Sequence, residues 1–130
     1  MKKYKLAVAL FVVTLCIGGI TNTLAASLKL DGLKADFLQT VPHYTKVVNK
    51  TTLSSQKITV TSTTGSRSVL LAEYDGNGSA INSEFMLFAA NSSKDLESAL
   101  FQLTGERKLR AKLSYPWTQV SIKGTWYYDM

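Results

Sequence analysis

After residue 25, hydrophobic and polar side chains alternate along most of the chain, and a period of two marks half-buried strands. Lys57-Ile58-Thr59-Val60-Thr61 puts Ile58 and Val60 on one face. Arg107 to Ser114 puts Leu109, Ala111 and Leu113 inward and Lys108, Arg110 and Lys112 outward. Thr118 to Tyr128 gathers Val120, Ile122, Trp126 and Tyr128, which places Trp126 in a core and Tyr127 outside. Tyr44 to Val48 and Ser68 to Tyr74 read as further strands. Glu84 to Ala90 is apolar on both faces, the pattern of a central strand covered on each side. Turn-forming residues punctuate these runs at 49–52, 63–66, 75–79 and 114–116.

Two stretches carry a helical alternative. Leu30, Leu33 and Phe37 could line a short helix, although Leu28 and Leu30 also fit a strand. Asn91-Ser92-Ser93 ahead of Lys94-Asp95-Leu96-Glu97 has the form of a capped helix start. Leu96, Leu100 and Leu103 would share its face, and Gly105 would end it. The pattern predicts an all-β fold, a small antiparallel sandwich or open barrel of about six to seven strands, with one short helix near 93–103.

The N-terminus obeys a different rule. Lys2, Lys3 and Lys5 precede an uncharged apolar run from Leu6 to Ile20, and small residues follow at Thr23, Ala25 and Ala26. That is the layout of a secretory signal peptide, and the run is shorter than the roughly 20 residues a spanning helix needs. Residues 1–25 are therefore expected to be removed near Ala25 or Ala26, leaving 26–130 as one extracellular β domain. Of the 15 basic residues three leave with the signal, and none of the 9 acids does, so +6 becomes +3. The single cysteine, Cys16, also leaves, and the exported domain is free of disulfides. Its stability must then come from its core.

Candidate chemistry is sparse. His43 is the only histidine, no Gly-x-Ser-x-Gly elbow is present, and one histidine without cysteine cannot build a zinc site. Glu73 and Glu84 both fall on strand-like segments, so a facing carboxylate pair of a small hydrolase is conceivable. Asp75, Asn77 and Ser79 begin like a calcium loop, but Ala80 and Met86 stand where that loop needs its Gly and its bidentate Glu. A tight turn explains the same residues. The pattern calls for no cofactor. The most distinctive segment is 107–123, where Arg107, Lys108, Arg110, Lys112 and Lys123 occur with no acid. If its two strands pair as a hairpin, these cations share a face with Trp117 and Tyr127. Such a face suits an anionic cell-wall polymer or a membrane surface, while export and the lack of any known motif argue against nucleic acid.

The signal, the cysteine-free β-rich chain and the terminal Val120-Ser121-Ile122-Lys123-Gly124-Thr125-Trp126 together resemble small secreted proteins of Gram-positive bacteria that end in a V-S-x-x-G-x-W strand. The Gly-Thr-Trp is also similar to one in secreted bacteriocins, where it lies near the mature start. Neither resemblance implies a catalytic residue. Three functions follow as expectations: a non-enzymatic envelope-binding protein, a bacteriocin-like factor acting on membranes, and a small hydrolase.

Overall fold

The computed structural model of the protein describes residues 26–38, 41–82 and 84–130. The expected signal peptide lies outside the described residues.

Among the described residues ten strands form two antiparallel sheets of five. In chain order they are β1 (Ala26–Lys29), β2 (Leu33–Ala35), β3 (His43–Tyr44), β4 (Val48–Lys50), β5 (Gln56–Thr63), β6 (Val69–Asp75), β7 (Met86–Phe88), β8 (Ser92–Leu96), β9 (Gly105–Lys112) and β10 (Val120–Asp129). A single helical turn, α1 (Ala99–Gln102), precedes β9. In the first sheet β9 is the spine: it pairs with β6 on one side and with β3 and β4 in turn on the other, and β7 pairs with β6 at the edge. In the second sheet β10 has the same part, with β5 on one side and β1 and β2 in turn on the other, and β8 at the edge of β5.

The alternating pattern becomes burial. Leu109, Ala111, Val69, Leu71 and Phe88 from the first sheet meet Ile58, Val60, Ile122, Val120 and Trp126 from the second, all almost inaccessible to solvent. The glycine of the terminal motif has a packing reason. A β-bulge in β5 lets Lys123 pair with Ser62 and Gly124 with Val60, so Thr61 is the extra residue. There a Cβ on Gly124 would overlap the Thr59 carbonyl and crowd the Val60 Cα.

Five expectations change. Residues 92–96 are an edge strand rather than a helix start, because β5 offers an unpaired edge that Gln56 to Val60 fill with Leu96 to Ser92. The helix near 93–103 survives only as α1, and Leu100 and Leu103 are exposed while Phe101 is buried. The Glu84–Ala90 run is an edge strand, and Leu87 is 55% exposed beside Leu70 on the outer face. Tyr44 to Val48 splits into β3 and β4, which pair successively along β9. Most consequentially, β9 and β10 do not form a hairpin. Residues 113–119 carry the chain from one sheet to the other, so their outward faces point away from each other.

Candidate functional site: a cationic and aromatic sheet face

On β9 the even-numbered residues face outward. Lys108, Arg110 and Lys112 are half-buried there, in a row along the strand. Their cross-strand partners on β6 are Tyr74, Ala72 and Leu70 respectively, and Tyr44 lies opposite Arg110 from the other side. The neighbours turn this row into a lattice of charges and rings. Lys108 Nζ sits 4.0 Å from the Tyr44 ring centre, and Lys112 Nζ 4.1 Å from that of Phe85. The Arg110 guanidinium lies 5.9 Å from Tyr74 and 5.7 Å from Phe85, and donates to the Tyr74 hydroxyl at 3.3 Å. Tyr44 and Tyr74 meet edge to face at 5.6 Å. Each exposed cation–ring contact stabilises by about 0.5–1 kcal/mol, which offsets part of the rotamer freedom a long side chain gives up. Beside the row, Phe37, Leu70, Phe85, Arg110 and Lys112 border a surface depression of about 500 Å³.

The other expected site residues are dispersed. Arg107 faces inward and is 5% exposed. The strand's alternation had already placed its neighbours Leu109 and Ala111 on that side. Its Nε lies 3.3 Å from Glu73 Oε2, and its terminal nitrogens donate to the carbonyls of Leu103, Thr104 and Glu106. Trp117 is on the 113–119 connection, with the Arg67 guanidinium 3.7 Å from its ring and Tyr115 5.8 Å away. Lys123 is exposed and Tyr127 half-buried on the outer face of the second sheet. Sequence reasoning missed Tyr44, Tyr74 and Phe85. Their nearness to β9 depends on strand order, which periodicity does not carry.

The turn at 75–79 is a closed Asx turn. Asp75 Oδ1 accepts from the backbone N–H groups of Asn77 and Ser79, both at 2.9 Å, and Gly78 takes the left-handed conformation, φ +93°. The Ser79 N–H, ahead of the others, holds the Asp75 carboxyl below its ordinary range. That oxygen serves the turn's own backbone, as the tight-turn reading of these residues expects. Among the described residues no group of three or more His, Cys, Asp or Glu side chains is placed to hold a metal ion. His43 Nε2 lies 2.5 Å from Asp36 Oδ2.

Glu73 and Glu84 do not face each other: Glu73 is fully buried between the sheets and Glu84 is exposed. Glu73 belongs to an interior polar chain. Trp126 Nε1 donates to Gln56 Oε1 at 2.7 Å, and Gln56 Nε2 donates to Glu73 Oε2 at 3.0 Å and to the Phe101 carbonyl at 2.7 Å. Burial pushes the Glu73 carboxyl up to about 7, against the opposing pull of Gln56, Arg107 and Lys50. A second clasp lies at the end of β10. Asp129 accepts from the backbone and hydroxyl groups of Thr51 and Thr52, and Lys50 Nζ lies 3.3 Å from it. Burial alone would raise this carboxyl, but the threonine donors outweigh it and pull it down to about 2.

No protein-family model matches the chain, and no curated protein is similar to it.

Proposed function

We propose that the protein is an exported, non-enzymatic binding protein of the cell envelope that contacts an anionic polymer through the outer face of the first sheet. The observation that carries this reading is the row Lys108, Arg110 and Lys112, each cation held within 6 Å of an aromatic ring. Charge attracts the polymer, and the rings reduce the rotamer freedom lost on binding. Among the described residues the ion pairs are His43–Asp36, Lys50–Asp129 and Arg107–Glu73, so Lys108 and Lys112 remain available to an external anion. Export rests on the signal-like residues 1–25, and cleavage after Ala25 keeps β1 whole, since Ala26 pairs with Asp129.

The test is retention of the purified exported protein on isolated cell walls over a salt gradient. The combined variant Lys108→Glu, Arg110→Glu, Lys112→Glu is expected to elute at low salt. Lys123→Glu, on the opposite face, is expected to elute with the parent. Co-elution of all three proteins would remove the proposal.

A second reading, action on membranes, is favoured by a different observation. Phe37, Leu38 and Val41 are 42%, 80% and 68% exposed on the connection between β2 and β3. Phe37 borders Lys112 across the depression. Apolar tips beside cations suit an anionic lipid interface. Dye release from anionic vesicles by micromolar protein checks it, and intact vesicles would count against it.

A further inference from the structure

We infer that the protein has a second ligand site at one end of the sandwich, where Arg67, Tyr115 and Trp117 are placed to bind an acidic sugar, a pyranose ring that carries a carboxylate or a phosphate. The site shares no residue with the Lys108–Arg110–Lys112 row, so either can fail without the other.

Two crossings between the sheets meet there. Residues 64–68 link β5 to β6, and residues 113–119 link β9 to β10. The Thr64 hydroxyl ties them together by accepting from the Ser121 N–H at 3.0 Å. Arg67 is half-buried, and its guanidinium lies over the Trp117 ring at 3.7 Å from the ring centre. A guanidinium this close rests on the ring by its face. Its N–H donors lie in its own plane, so stacking leaves them unused. Among the described residues no acid pairs with Arg67 and no oxygen accepts from its side chain. In this it differs from Arg107, which donates to three carbonyls, and from Arg110, which donates to the Tyr74 hydroxyl. Gly65, at φ +68°, backs it on another side: a Cβ there would stand 3.1 Å from Arg67 Nε. A held guanidinium with free parallel donors is the group that grips a carboxylate or a phosphate by two oxygens.

The rings supply the rest of the ligand's description. Tyr115 and Trp117 are both exposed, their centres are 5.8 Å apart and their planes are inclined at 49°. They form an open corner rather than a parallel slot. With Arg67 and the exposed Ser66 and Ser68 they border a depression of about 380 Å³, in the size range of small-molecule sites. Rings beside hydroxyls suit a sugar, whose C–H face covers an aromatic ring while its own hydroxyls meet the serines. An aliphatic tail would leave Arg67 and both serines without partners. A nucleobase stacks on a free aromatic face, and Arg67 already occupies one face of Trp117.

The experiment titrates the isotope-labelled, purified exported protein with methyl glucuronide, glucose-6-phosphate, methyl glucoside and acetate, and follows the two indole N–H signals by NMR. Trp126, buried and bonded to Gln56, is the internal reference. The Trp117 signal is expected to move with the acidic sugars while that of Trp126 stays. Which acidic sugar binds tighter identifies the oxyanion. Methyl glucoside should bind about tenfold more weakly, the worth of a charge-assisted hydrogen bond. Acetate, which lacks the ring, should also fall below the acidic sugars. Arg67→Gln is expected to reduce the acidic sugars to the level of methyl glucoside. Arg67→Lys keeps the charge without the fork and should recover only part of the loss, while Lys123→Gln should leave binding unchanged. If Arg67→Gln lowers the melting temperature, the ratio of acidic to neutral sugar on the parent protein and on Arg67→Lys decides. Equal binding of neutral and acidic sugars, or of acetate and the acidic sugars, would overturn the inference. Shifts confined to Lys108, Arg110 and Lys112 would also overturn it, by giving the acid to the row, as would a Trp117 signal that none of the four ligands moves. Retention on cell walls tests the row alone, so its loss would leave this site standing.

Discussion

The outer faces of the two sheets carry similar numbers of cations and arrange them differently. The first sheet presents Lys108, Arg110 and Lys112 on one strand, each against an aromatic ring. The second presents Lys29, Lys34, Lys57 and Lys123 on four different strands, among Ser27, Thr59, Ser93, Ser121 and Thr125. There Lys34 donates to the Ser121 hydroxyl at 2.7 Å, and Lys57 has Asp95 as its cross-strand partner. Counting charge cannot tell these faces apart. What differs is whether the cations are collinear and held. The second face is a solvated surface whose lysines and hydroxyls keep the sheet soluble, while the first is a candidate binding surface.

That contrast can be broken by substitution. The largest effect on stability is expected in the second sheet. Gly124→Ala forces a Cβ into the Thr59 carbonyl and should cost about 3 kcal/mol in chemical denaturation, as overpacking does where backbone cannot yield. Binding per folded molecule should be unchanged. The triple charge reversal on the first sheet should do the opposite, abolishing wall retention while the melting temperature moves little. If Gly124→Ala impaired binding of the folded fraction, or the triple variant unfolded the domain, the division of labour between the sheets would be wrong.

The two buried acids sharpen the comparison through pH. Asp129, at the end of the second sheet's spine, has its carboxyl lowered from 3.8 to about 2. Its contribution is present above about 3.8 and is lost as pH falls through about 2. Asp129→Asn should remove roughly 2 kcal/mol at neutral pH and flatten the acid limb of the melting curve. Glu73, in the first sheet, is raised from 4.5 to about 7. Its contribution is intact below about 4.5 and is lost as pH rises through about 7, because ionisation then places a charge in the interior. The melting temperature is thus expected to peak in the mildly acidic range. Glu73→Gln should flatten the upper limb alone. The smallest effect belongs to the rings: Tyr44→Leu should weaken polymer binding about threefold to fivefold, the value of one exposed cation–ring contact. A stronger effect of Tyr127→Leu, on the other face, would reverse the assignment of the binding surface.

The sequence made the sandwich class and much of the core legible, because the period of two is a local property. Ile58 and Val60, Leu109 and Ala111, and Val120, Ile122 and Trp126 are buried as alternation requires. The 92–96 segment was misread because Asn91-Ser92-Ser93 is a good helix cap in isolation, whereas the free edge of β5 decides the matter in the fold. The candidate site was half legible. The outward phase of Lys108, Arg110 and Lys112 followed from periodicity, but adjacency in sequence suggested a β9–β10 hairpin that would have added Trp117, Lys123 and Tyr127. Strand order is a long-range property, and it instead delivered Tyr44, Tyr74 and Phe85 from segments 25 or more residues away in sequence. Arg107 was miscounted with the surface charges because its interior partner Glu73 lies on another strand.

The position of β10 has a consequence for folding. The ladder hydrogen bonds of β1, β2 and one side of β5 are all made to residues 120–129. β5 can pair with β8 without them, but β1 and β2 have no other strand to pair with. Half of the second sheet therefore exists only once one ten-residue segment is in place, and a fault in that segment releases three strands at once.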